Sequence, residues 1–220
     1  QRYGDYRVPA NSFTYNGFVL PLNDQRLVNT GGMEWAADIT FGHQKDNGRS
    51  YWNISVYDQK AGLFPGAIGI PRYNQLDQAE TGSDFGIPMQ DTRHIKAAWH
   101  RSRQHKYGSS KLDFAWQWND RKELSPSHSH GYVELDPNDS LALRMNLHTI
   151  NGRFERNLSI GTNWKWTYGA DAMVQWHEKA GFEYLIPNYR KQQAGGFVLG
   201  QWSRTWRWKY FASARVDVAG

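Results

Sequence analysis

Apolar and polar residues alternate with a period of two over most of this chain. The clearest stretch is WKWTYGADAMVQW, residues 164–176. Trp164, Trp166, Tyr168, Ala170, Ala172, Val174 and Trp176 take every second position, and Lys165, Thr167, Gly169, Asp171, Met173 and Gln175 fill the gaps. Such alternation predicts a strand with one apolar and one polar face. The same pattern recurs in 33–43, where Trp35, Ala37, Ile39 and Phe41 oppose Glu34, Asp38 and Thr40. It recurs in 51–60 (Trp52, Ile54, Val56), 92–103 (Ile95, Ala97, Trp99 against His94, Lys96, His100) and 111–121 (Leu112, Phe114, Trp116, Trp118). In 141–155 the pattern predicts Leu141, Leu143, Met145 and Leu147 on the apolar face and Arg144, Asn146 and His148 on the polar one. In 206–218 it sets Trp206, Trp208, Tyr210, Ala212, Ala214, Val216 and Val218 against Arg207, Lys209, Ser213, Arg215 and Asp217. The segment 189–203 is a further strand whose faces the sequence does not assign. The total is about eight strands, several as long as the roughly 9–11 residues that a tilted membrane strand needs. No stretch has the pattern of an amphipathic helix.

The connections alternate in length. Short turns are expected near 45–49, 105–110, 156–163 and 203–205, and long loops at 61–91, 122–140 and 178–188. Short turns on one side and long loops on the other is the pattern of outer-membrane barrels, whose turns are periplasmic and whose loops are extracellular. The chain has 220 residues, with 11 Trp and 12 Tyr, and no cysteine. Its mean hydropathy is −0.78, and no run approaches the roughly 20 apolar residues of a membrane helix. The aromatic residues change the picture, because Trp and Tyr collect where water meets lipid. Here they often mark strand ends. The formal net charge of +5 is spread along the chain, so no nucleic-acid footprint is expected.

Two readings of the alternation compete. A soluble Trp-rich carbohydrate-binding β-sandwich would turn the apolar face inward and stack exposed Trp rings on sugars. A transmembrane barrel would turn it toward lipid. Ionic residues in many polar faces, aromatic strand ends and unequal loops favour the barrel. The expected fold is therefore all-β, an antiparallel transmembrane β-barrel. Trp35, Trp99, Trp116, Trp164, Trp166, Trp176, Trp206 and Trp208 are expected to face lipid. Asp38, Lys96, Arg144, Lys165, Asp171 and Arg215 are expected to face a lumen.

Parity adds a constraint. The first connection is short, so strand 33–43 runs toward the turn side, and the last of eight strands returns to the loop side. A closed single-chain barrel normally has both ends on the turn side. Eight strands also enclose room for side chains only, a poor fit for long charged residues. The expectation is a segment of a larger barrel. A ninth strand in 12–20, SFTYNGFVL, would alter the count.

Several irregular stretches carry a resemblance: YNGFVLPLNDQRLVNTGG (15–32), YDQKAGLFPGAIGIPR (57–72), PSHSHGY (126–132) and GFEYLIPNYRKQQAGGFV (181–198). They resemble TonB-dependent outer-membrane receptors, particularly those of Bacteroidetes type. The resemblance extends over nearly all of residues 1–220. It implies the middle of a barrel of about 22 strands in the bacterial cell outer membrane. The intact receptor would also have a plug and a TonB box, which this sequence does not show. The implied partners are outer-membrane lipids, the TonB complex through that plug region, and a nutrient of unknown class. The implied activity is energised import of a scarce nutrient captured at extracellular loops.

Other chemistry is sparse. His128 and His130 sit two apart in a loop, but two imidazoles do not complete a metal site, so no metal or other cofactor is expected. The apolar loop FPGAIGIPRY ends in Arg72 and Tyr73. These four residues are the candidate ligand contacts, because loops at the mouth of a rigid scaffold carry binding groups. No GxSxG, HExxH or P-loop pattern occurs, and no enzymatic activity is expected. DPND (136–139) lacks the ligand spacing of an EF-hand and reads as a turn.

Overall fold

The computed structural model describes residues 1–15, 18–64, 86–126, 140–204 and 207–220. The first 31 residues form short pieces: β1 (Arg2–Tyr3), β2 (Tyr6–Arg7), β3 (Ser12–Tyr15), β4 (Phe18–Pro21), a 3-10 turn at Asn23–Gln25, and β5 (Arg26–Leu27). Eight long strands follow: β6 (Gly32–Lys45), β7 (Gly48–Gly62), β8 (Met89–His105), β9 (Gly108–Leu124), β10 (Leu141–Ile160), β11 (Trp164–Ala180), β12 (Tyr189–Ser203) and β13 (Lys209–Ala219). All eight strands expected from alternation are present. Most extend past their expected ends, because pairing with a long neighbour continues into residues whose own pattern is weak. The stretch 12–20 adds no strand to the large sheet: among the described residues β3 and β4 pair only with each other.

The eight strands and β1 form one antiparallel sheet of nine, each long strand paired with its neighbours in sequence. The sheet is open, with β1 and β13 at its edges. Among the described residues no second sheet packs on it, and the buried hydrophobic residues are only Val28, Ala98, Ala142 and Leu143. A soluble sandwich of this size would bury the inner faces of two sheets against each other. Here the apolar face has no such cover.

Tight turns close one end. Asp46–Asn47 and Lys106–Tyr107 join strands whose flanking pairs are Lys45–Gly48 and His105–Gly108. Gly108 has φ 144° and lies against the Asn157 carbonyl, which leaves no room for a side chain. The third turn is later than expected, at 161–163, because β10 continues to Ile160.

The first 31 residues pack at the opposite, long-loop end. Asn29 is the clamp there. Its Nδ2 donates to the carbonyls of Leu63 (2.9 Å) and Pro88 (2.8 Å), and its Oδ1 accepts from the Gly86 amide (2.7 Å). One side chain thus ties both stems of the β7–β8 loop. Its φ of 61° is left-handed, a conformation Asn tolerates. Buried Asp5 accepts from the Thr30 (2.9 Å) and Gly31 (3.1 Å) amides. Asp24 lies between Arg7 (3.0 Å) and Arg26 (3.2 Å). The hydrogen bond from Arg26, then the charge of Arg7, hold its carboxyl below the usual range.

Candidate functional site: a polar wall opposite a tryptophan face

Paired residues in antiparallel strands point to the same side, and so do residues two apart. Following the register from β6 to β13 therefore assigns every strand residue to a face. Trp35, Trp52, Trp99, Trp116, Trp118, Trp164, Trp166, Trp176 and Trp202 all fall on one face. Of the expected apolar-face residues, Trp35, Trp99, Trp116, Trp164, Trp166 and Trp176 are thus brought together. Trp208 lies outside the strands and is exposed, and Trp206 lies outside the described residues. The pattern of β12 concealed Trp202, whose face only the pairing with Trp164 reveals.

The apolar residues of this face form a belt whose turn-side edge steps toward the turns between β8 and β11. Its turn-side edge on β6, β7 and β8 is the row Phe41–Trp52–Trp99, below which stand His43, Lys45, Arg101 and Arg103. That row continues through Phe114, Gly152, Ala172 and Ala194 to Val218 on β13. On β11 to β13, however, the edge is the row Trp164–Trp202–Tyr210, eight residues lower on β13 (Val218 to Tyr210). The loop-side edge does not follow this step: Val56, Ile95, Trp118, His148 and Trp176 share one row from β7 to β11, so the belt widens across these strands. Stacked rings line its edges. Trp164–Trp202 (6.0 Å between centroids) and Trp202–Tyr210 (5.4 Å) stand near the turns, and His148–Trp176 (4.9 Å) lies toward the loops.

Above the belt, toward the long loops, the same face becomes ionic. Asp58 accepts from Arg93 (2.7 Å to Nη2), and Asp120 from Arg144 (2.7 Å to Nε). Lys60–Asp91 (3.7 Å) and Lys122–Asp120 (3.6 Å) complete the band. Arg144 therefore does not join the other polar-face candidates: it stands on the tryptophan face, paired with Lys122 and Ala180. Leu143, Met145 and Leu147 point the other way. The register shifts between Leu141 and Leu143, and this part of β10 lies above the belt, where the two faces exchange polarity.

Asp38, Lys96, Lys165, Asp171 and Arg215 do share the opposite face. That face is polar over most of its height. Asn53 Nδ2 donates to both Asp38 oxygens (3.0 and 2.9 Å). Across its middle runs a charge ladder in register: His100, Asp113, Arg153, Asp171, Gly195 and Asp217 on six successive strands. His100 Nδ1 lies 2.6 Å from Asp113 Oδ1, and Tyr51 stacks on His100 at 4.8 Å. Arg215 reaches both oxygens of Asp171 (3.0 Å each) and also binds Asp217.

Nearer the long loops, one row of this face holds Tyr57, His94, Asn119, Leu147, His177 and Tyr189. His177 is buried, stacks on Tyr189 (5.2 Å) and donates from Nδ1 to the Pro187 carbonyl (3.3 Å). Its Nε2 has no partner among the described residues. This row of two tyrosines, two histidines, an asparagine and a leucine was not singled out by sequence, because its members come from six separate strands. The loop candidates Arg72, Tyr73, His128 and His130 lie outside the described residues. Among the described residues no three His, Asp or Glu side chains gather as a metal site. Compared with known proteins, the chain matches no family model and no curated protein.

Proposed function

We propose that this sheet is part of the wall of an outer-membrane barrel of the TonB-dependent receptor type. The tryptophan face meets lipid, and the polar face lines the lumen. The observation that carries the reading is the tryptophan face of long antiparallel strands, uncovered among the described residues and backed by a polar face on their other side. Strands of membrane barrels alternate apolar-out and polar-in residues, with aromatic residues flanking the apolar band. On β11 the belt runs from Trp164 to Trp176. At 3.4 Å per residue and a 40° tilt this run on β11 is about 31 Å tall, comparable to a hydrocarbon core of about 30 Å, whereas on β7 and β8 the apolar run is shorter, Trp52–Val56 and Ile95–Trp99. A soluble carbohydrate-binding sandwich would need a second sheet over the apolar face.

In this reading the short turns are periplasmic and the long loops extracellular. The ligand is a scarce nutrient, first met by the loops that carry Arg72, Tyr73, His128 and His130. It then passes the Tyr57–Tyr189 row, and import draws on energy delivered by the TonB complex through a plug. No bond is made or broken by this chain. The resemblance of the irregular stretches supports the family, and the polar lining supports a hydrated interior.

The test is the intact mass and fractionation of the native protein from its source. Recovery with the outer membrane, dependence on detergent and a mass several times 25.5 kDa are expected. A mass near 25.5 kDa with solubility in plain buffer would overturn the proposal.

A further inference from the structure

The two ends of the tryptophan face differ in charge. At the long-loop end, Lys60, Arg93, Lys122 and Arg144 each lie within 4 Å of a carboxylate. At the turn end of β6 to β8 the face carries His43, Lys45, Arg101, Arg103 and His105, and no acidic residue. Among the described residues Lys45, Arg101 and Arg103 form no salt bridge. The one acidic residue in the three adjoining turns is Asp46.

The basic groups also enclose a shape. Gly48 separates Lys45 from Arg103 in one row, and Ser50 separates His43 from Arg101 in the next. The small residues of β7 form a floor, and the basic side chains of β6 and β8 form two walls. The resulting concavity is about 270 Å³. Directly above it stands the edge of the belt, the Trp52–Trp99 pair (6.2 Å), with Trp99 Nε1 donating to Ser50 Oγ at 2.9 Å.

We propose that this cradle binds the phosphate headgroup of an anionic phospholipid, with the acyl chains lying along Trp52, Trp99 and Phe114. The proposal rests on the membrane reading above, which puts this end at the periplasmic leaflet. An unpaired cationic recess joined to an apolar surface is complementary to a molecule that is anionic at one end and apolar at the other. Neither a free anion nor a soluble polyanion would use the apolar half.

The native protein, purified in detergent and reconstituted in phosphatidylcholine vesicles, supplies the test. Tryptophan quenching is compared for brominated phosphatidylglycerol and brominated phosphatidylcholine at equal mole fraction. Excess quenching by the anionic lipid is expected, and its loss in the R101Q/R103Q variant. A basic side chain near an anionic surface gives roughly a fivefold preference, so removing two should erase the excess. Equal quenching of the wild type by both lipids would overturn the headgroup site and leave the membrane reading standing. No quenching by either would overturn both. Persistence of the full excess in R101Q/R103Q would also overturn the cradle as the headgroup site.

Discussion

Arg215 on β13 grips Asp171 on β11, two strands away, with Nη1 and Nη2 each 3.0 Å from a carboxylate oxygen. The strand between them carries Gly195 at the crossing point, in register with both Asp171 and Asp217. A side chain at Gly195 would occupy the space of the Asp217 carboxylate and the Arg215 guanidinium. Glycine in a strand often marks such a close approach. The bidentate contact joins three strands through side chains, in addition to their backbone ladders.

This geometry predicts coupling. Arg215→Gln and Asp171→Asn should each lower the unfolding temperature of the native protein. The double variant should be little worse than the more harmful single one, since the two groups share one interaction. Gly195→Leu should match Arg215→Gln and add little when combined with it. Simple additivity of the three changes, read by thermal unfolding, would refute the ladder.

The two faces predict opposite tolerance for charge. Ala170 lies mid-belt on the tryptophan face, and Met173 lies on the polar face. Ala170→Arg should cost about 2–4 kcal/mol, as for a cation near the bilayer midplane, and should sharply reduce folded protein in the membrane fraction. Met173→Arg should leave that amount almost unchanged. Equal tolerance at both positions would speak against lipid on the tryptophan face.

Asn29 predicts a link between the first 31 residues and the β7–β8 loop. Asn29→Ala removes two donors from the Leu63 and Pro88 carbonyls and an acceptor from the Gly86 amide. A part-buried group left without its partner costs about 1–3 kcal/mol. Faster amide exchange at Leu63, Gly86 and their neighbours is expected, with the strand centres unaffected. Exchange unchanged at both stems would show that the clamp contributes nothing.

Asp24 predicts a pH dependence at the same end. Its folded carboxyl titrates below its ordinary value because Arg26 and Arg7 favour the charged form. The contribution of this cluster is complete above the ordinary carboxylate value and is lost as pH falls through the depressed one. NMR titration should show the lowered midpoint, and Arg26→Ala should raise it. A midpoint at the ordinary value in the unsubstituted protein would exclude the cluster in solution.

Glycines covered by aromatic rings give a further prediction. The Trp166 ring lies over Gly200 on the tryptophan face, and the Phe197 ring over Gly169 on the polar face, each pair in register. Such covering restores contact where a strand glycine has no side chain. Gly200→Val should displace Trp166 and shift its fluorescence. An unchanged spectrum and unfolding temperature would mean that the ring does not depend on the gap.

Alternation along the chain was enough to place the eight long strands, their turns and loops, and the two faces within the belt. These are local properties: a period of two needs only the residues of one strand. It could not determine the phase of every strand. In β10 the apolar residues 143, 145 and 147 marked one face correctly as a set, yet that face is opposite to the tryptophans. Above the belt polarity is exchanged, and only pairing with β9 and β11 fixes which side is which. In β12 the alternation is too weak to read, and Trp164 opposite Trp202 settles it. The edges of the belt, the Arg215–Asp171 bridge and the basic cradle all join residues from different strands. Their existence depends on register, which hydrogen bonding between neighbouring strands sets and which no single strand encodes.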